Sequence, residues 1–186
     1  MTLKEMKTKV LALIEELNPN KAELTDDPDI STKINHVINQ IMYELCRMKK
    51  IPKYIEMEVS EGDLIDFAAI ESECGYEVYQ LTNVYGVNFV PRANGTVLKM
   101  LESGTAEIDF CVYPERITDK TKDSYEFELT ADVLEMMPYG IAADLLKSDV
   151  SAEYGAIYAT RYAEMKQLLD PRYGMGMVTI EGGINI

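Results

Sequence analysis

Two changes of hydrophobic period, each falling at a proline, constrain this chain more than any other feature. Before Pro52 the apolar residues recur at three- and four-residue steps. Between Pro52 and Pro114 they alternate, and beyond Pro114 the longer step returns. A period near 3.6 gathers apolar side chains on one face only in a helix, and a period of 2 does so only in a strand. The chain is therefore predicted to begin as helices, make a β excursion and return to helix.

The first helix is predicted over residues 3–17, on Leu3, Met6, Val10, Leu13, Ile14 and Leu17, with Asn18-Pro19-Asn20 as its stop. The second, over 30–49, carries Ile34, Val37, Ile38, Ile41, Met42 and Leu45 in one stripe. It is entered through Asp26, Asp27, Pro28 and Asp29 and left through Arg47, Lys49 and Lys50. Within 53–114, Ile55, Met57 and Val59 alternate with Tyr54, Glu56 and Glu58, and 76–84 is rich in β-branched and aromatic residues. Asn94-Gly95 marks a turn before a short strand at 96–100. Ala106, Ile108, Phe110 and Val112 then alternate with Glu107, Asp109, Cys111 and Tyr113. Residues 62–67 read as a short mixed run, 71–75 as a turn, and 115–125 as a linker too charged for a core. A helix over 130–147 is capped by Thr130, stapled by Leu129 and Leu134, and disturbed by Pro138. The last helix, over 152–169, carries Tyr154, Ile157, Tyr158, Tyr162, Met165, Leu168 and Leu169. The expected fold is α+β: a mainly α-helical bundle of about four helices with a small antiparallel β insertion between helices 2 and 3, one domain over residues 1–171. Residues 172–186, with four glycines and one acidic residue, are expected to form a flexible interaction tail. Its Met175, Met177, Val178, Ile180, Ile184 and Ile186 suit a partner's apolar surface.

With 47% hydrophobic residues against 27% charged, the chain can bury a core and is not a disordered acidic segment. Its 18 Lys plus Arg against 32 Asp plus Glu leave a charge of −14, which opposes any general grip on nucleic acid phosphates. No run approaches the roughly 18 residues of a membrane helix, and the first residues lack a signal peptide's apolar run, so a soluble product made in the cytoplasm is expected. Three cysteines, Cys46, Cys74 and Cys111, at long spacings argue for free thiols over a disulfide framework or a zinc knuckle.

Catalytic and cofactor chemistry finds little material. The one histidine, His36, borders the stripe of the second helix, where a structural or solvent-facing role is expected. There is no GxxxxGK[ST], GxGxxG, HExxH or EF-hand loop, and Gly174-Met175-Gly176 has neither a lysine nor a following helix for phosphate binding. Asp26, Asp27 and Asp29 read as a helix-entry loop before a cation site, and the tyrosines as packing residues before base-stacking ones. No catalytic, metal or cofactor residue is assigned.

The order of elements, together with 104–118 (GTAEIDFCVYPERIT) and the helix pair opened by Leu129-Thr130-Ala131-Asp132, resembles the head-tail connector proteins of tailed bacteriophages, also called adaptor or head-completion proteins. Within that pair, Met137-Pro138-Tyr139-Gly140-Ile141-Ala142-Ala143-Asp144-Leu145-Leu146, followed by Ser148-Asp149, looks like the family's sequence of proline, aromatic, small residues, acid and leucines. The likeness covers most of the chain from Leu3 to Leu169. It implies a structural, non-enzymatic virion protein at the head-tail interface. Such a subunit contacts the portal protein, a downstream connector or tail protein, and neighbouring copies in a dodecameric ring, with DNA only passing through the lumen and no membrane involved. A different reading of the same residues is a small acidic cytoplasmic regulator or inhibitor, bound to one partner protein through its β unit.

Overall fold

The computed structural model describes residues 1–17, 24, 25, 27–148 and 152–169, which form two compact units. Among the described residues, the first unit combines those up to Ile51 with those from Tyr113 to Leu169, and the second is Pro52–Val112.

Helices build the first unit. α1 (Leu3–Leu13) starts at a reciprocal capping box, in which the Thr2 hydroxyl accepts from the Glu5 amide at 3.2 Å and the Glu5 carboxylate from the Thr2 amide at 2.8 Å. Two further amides of its first turn, Leu3 and Lys4, donate to the carbonyls of Tyr125 and Asp123, so a tertiary segment satisfies donors that a free helix leaves open. The helix ends earlier than residue 17 because Glu15 takes a positive φ of 62°. α2 (Pro28–Met48) begins with the Asp27 carboxylate accepting from the Asp29 and Ile30 amides, and Pro28 occupies a first-turn position where no amide is required. Its Ile34, Ile38, Ile41, Met42 and Leu45 face a core shared with Leu3, Met6, Val10 and Leu11 of α1.

α4 (Ala131–Leu145) supplies Val133, Leu134, Met136, Met137, Ile141 and Ala142 to that core and runs unbroken through Pro138. Thr130 has the extended backbone of an N-cap, but its hydroxyl makes no capping bond, so the expected side-chain cap is absent. After a 3-10 turn at Leu146–Ser148, α5 (Ala152–Leu168) packs along α4. Their approach is close because two positions lack a side chain. A Cβ at Gly140 would stand 3.0 Å from the Tyr162 ring, and one at Gly155 would stand 3.2 Å from Leu146 Cβ.

Residues 115–125, expected from their charges to be a bare linker, and the chain just beyond them contribute to the core. Ile117 and Phe127 are buried, and the buried Asn39 side chain of α2 holds the Ile117 backbone from both sides, its amide donating to the carbonyl at 2.7 Å and its oxygen accepting from the amide at 2.8 Å. An extended segment buried against helices has no ladder partner, and the carboxamide takes that role.

The second unit overturns the expectation of a four-helix bundle with a small β insertion. The described chain has five α-helices and two three-stranded antiparallel sheets. One sheet has the order β1-β6-β3, from β1 (Ile51–Val59), β3 (Val78–Tyr85) and β6 (Gly104–Val112). The other has the order β2-β5-β4, from β2 (Leu64–Asp66), β5 (Val97–Met100) and β4 (Phe89–Arg92). The fifth helix, α3 (Phe67–Cys74), is capped by the Asp66 carboxylate on the Ala69 amide and ended by Gly75 at φ 74°. It went unread because Ile70 alone is buried in it, so no stripe shows. β2 and β4 were missed for a related reason: three and four residues are too few to display alternation, and β4 contains Pro91. Between β4 and β5 the expected Asn94-Gly95 turn is a 3-10 turn with Ala93, Asn94 and Gly95 all at positive φ. Ile70, Met100, Ala106 and Ile108 are fully buried in this unit.

Candidate functional site

The first unit carries its most unusual surface on α5. A helix of one packed domain normally shows one apolar stripe, and α5 shows two. Gly155, Tyr158, Tyr162, Met165 and Leu169, at steps of three and four, form the inner stripe, all buried or half-buried. Burial, and after it the Glu44 carboxylate, hold the Tyr162 phenol above the ordinary tyrosine value, so it stays neutral and its ring packs beneath the Lys166 ammonium. Lys166 in turn bonds Glu44 at 2.6 Å, tying α5 to α2.

The second stripe repeats the same steps along the neighbouring flank: Tyr154, Ile157, Arg161, Glu164 and Leu168. Its apolar members stand in water, Tyr154 at 63%, Ile157 at 62% and Leu168 at 84% exposure. Single exposed apolar residues need no account, but three in register on one flank do. Between them, Arg161 and Glu164 form an ion pair at 3.5 Å, each more than half exposed.

Two shallow depressions border this flank, at Tyr154 and at Leu168, and a third lies between α1 and α4. One of about 120 Å³ lies among Leu13, Ile14, Leu146, Tyr154 and Tyr158. One of about 330 Å³ lies among Lys9, Ala12, Glu135, Pro138 and Tyr139, and one of about 240 Å³ among Asp132, Met136, Met165 and Leu168. The Tyr158 hydroxyl donates to the Leu13 carbonyl at 2.6 Å, pinning α5 to the end of α1, and Lys9 bonds Glu135 at 2.9 Å, pinning α1 to α4. Volumes near or below the low end of small-molecule pockets, open to solvent and lined by Leu, Met, Tyr and Pro with charged residues Lys9, Glu15, Asp132 and Glu135 among them, suit side chains of another protein better than a metabolite.

In the second unit, Glu58 of β1 accepts from the Thr105 hydroxyl of β6 at 2.6 Å, which sets Glu56 and Glu58 beside Glu107 on one exposed sheet face. Tyr54 and Tyr85 are exposed in the same unit.

The residues singled out from sequence fall in three ways. Met175, Met177, Val178, Ile180, Ile184 and Ile186 lie outside the described residues, as does Asp26. His36 is exposed on α2, while Asp27 caps that helix. Tyr154, Ile157 and Leu168, read as part of one packing stripe, belong instead to the outer one. The signal was present, since Ile157 and Tyr158, like Leu168 and Leu169, are chain neighbours about 100° apart around a helix and cannot both face α4. Asn39 carried no sequence signal at all. Among the described residues no group of three or more His, Cys, Asp or Glu is placed to hold a metal ion, and no helix is long and apolar enough to cross a membrane. No protein-family model and no curated protein matches the chain.

Proposed function

We propose that this chain is a structural subunit of a tailed-phage virion, joining the portal of the head to the next connector or tail component as one copy of a ring around the DNA channel. The observation that carries the reading is the uncovered apolar flank of α5, Tyr154, Ile157 and Leu168, beside depressions fit for side chains. A subunit whose contacts are completed by neighbours leaves such a surface when alone. The resemblance in 104–118 and in the Met137–Leu146 run adds the portal and the next connector as partners.

The charge of −14 and the acidic sheet face of Glu56, Glu58 and Glu107 fit a lumen that lets DNA pass, because like charge removes the counterion-release gain on which phosphate binding depends. Met175, Met177, Val178, Ile180, Ile184 and Ile186 serve in this reading as the docking residues of the C-terminal segment, and the head-tail interface of the virion is where the reading expects the protein. The test is particle assembly in the phage that encodes the chain. Removal of the gene should leave filled heads and free tails that do not join, and a chain truncated after Asp170 should fold yet fail to enter particles. Complete infectious particles in the absence of the gene would overturn the proposal.

A further inference from the structure

The outer stripe of α5 has a property that its exposure does not require. Read from Ile157 to Leu168 it is apolar, cation, anion, apolar, at spacings of four, three and four residues. Reversed, the spacings are the same and each charge meets its opposite. An antiparallel copy laid along it therefore sets Ile157 against the second copy's Leu168 and Arg161 against the second copy's Glu164, twice over, about a two-fold axis. A parallel copy would set Arg161 on Arg161 and Glu164 on Glu164.

We propose that this flank is a self-recognition surface, pairing α5 with α5 of a second copy in antiparallel fashion. Ile157 and Leu168 lie eleven residues apart, about 16 Å along the helix axis, so both ends of the seam close at once on a straight partner helix. The Arg161–Glu164 pair is loose within its own helix at 3.5 Å, and both side chains are solvent-exposed and able to turn toward a facing copy. Tyr154 extends the apolar strip past each end. A contact made by one helix is small beside a standard interface, so the pair is weak and forms at high subunit concentration. The pair occupies the flank that the connector reading gives to ring neighbours, and a two-fold contact closes on itself, so it belongs to the free subunit and must open before a ring forms; loss of portal binding leaves the pairing standing, and absence of pairing leaves the portal test open.

Sedimentation equilibrium of the full chain at physiological salt tests it. The wild type should dimerise reversibly, and Leu168→Asp should remain monomeric. Arg161→Glu and Glu164→Arg should each weaken association roughly tenfold or more, because each turns two cross-helix attractions into repulsions. The double reversal should restore it. All four sites are exposed, so unchanged melting temperatures separate lost pairing from lost fold. Orientation is read separately in a Cys74→Ser background: Ile157→Cys mixed with Leu168→Cys should form the mixed disulfide, and neither variant should cross-link with itself. A wild type that stays monomeric at high micromolar concentration, a double reversal that fails to restore association, or self-cross-linking of either cysteine variant would each overturn the proposal.

Discussion

At the residue scale, the side chains that hold the first unit together divide into those a pattern reveals and those only geometry reveals. Leu45 was legible, as one of a stripe of apolar residues, and it is fully buried. Leu45→Ala should destabilise the protein by roughly 2 to 5 kcal/mol in urea unfolding through the cavity it leaves; a change under about 0.5 kcal/mol would mean the site collapses or is not core. Asn39 was not legible, because an asparagine inside an apolar stripe looks like a defect until Ile117 is found across from it. Asn39→Ala leaves the buried amide and carbonyl of Ile117 without partners, at about 1 to 3 kcal/mol each. It should therefore cost as much as Leu45→Ala, whereas Asn39→Asp should not rescue it, since a carboxylate cannot donate to the carbonyl. The Glu5 carboxyl is held below its ordinary value, chiefly by the Thr2 amide. Its contribution is present above the unfolded value and is lost as pH falls through the lower folded one. Glu5→Gln should lower the melting temperature at neutral pH, and the gap should close in acid; a gap independent of pH would exclude the carboxylate as its source.

At the element scale, the sequence was informative wherever an element is long enough to repeat its pattern. α2 and β6 each show several periods, and both were located. α3, β2 and β4 are too short to do so, and they depend on local chemistry that periodicity does not carry: Asp66 is an N-cap, Gly75 a left-handed stop, and Pro91 is tolerated in a short strand. The second stripe of α5 was hidden differently, since two adjacent stripes at the same steps merge into one broad band on paper. Glycines settle where elements touch. At Gly86, φ is 85° and a Cβ would stand 2.4 Å from the Thr105 carbonyl oxygen, which belongs to the rigid strand β6. Gly86→Ala should therefore destabilise the second unit by several kcal/mol or prevent its folding, combining backbone strain with overpacking. At Gly140, alanine gains up to about 1 kcal/mol of helix propensity, but its methyl meets the buried Tyr162 ring at 3.0 Å. The clash should win and leave a net loss of about 1 kcal/mol, whereas Gly140→Ala combined with Tyr162→Leu should recover part of it. A net gain from Gly140→Ala alone would show that α5 can move away from α4 at little cost.

At the scale of the whole molecule, the two changes of period mark where the chain enters and leaves its β excursion. The second unit is Pro52–Val112, bounded within two residues by Pro52 and Pro114. What composition alone did not disclose is that the excursion is itself a unit with two sheets and a helix. Function is legible in a different way. A charge of −14, exposed apolar residues along α5 and the depressions lined by its Tyr154 and Leu168 are the features from which the connector proposal is argued. If the chain is the proposed connector, its genome also encodes a portal, and the most direct measurement is the native mass of that portal ring, taken with and without the purified protein. The connector account expects a ring complex heavier by one copy of this 21.0 kDa chain per portal subunit, with no half-filled species at saturation. A portal that keeps its own mass at saturating concentrations of the protein would contradict it.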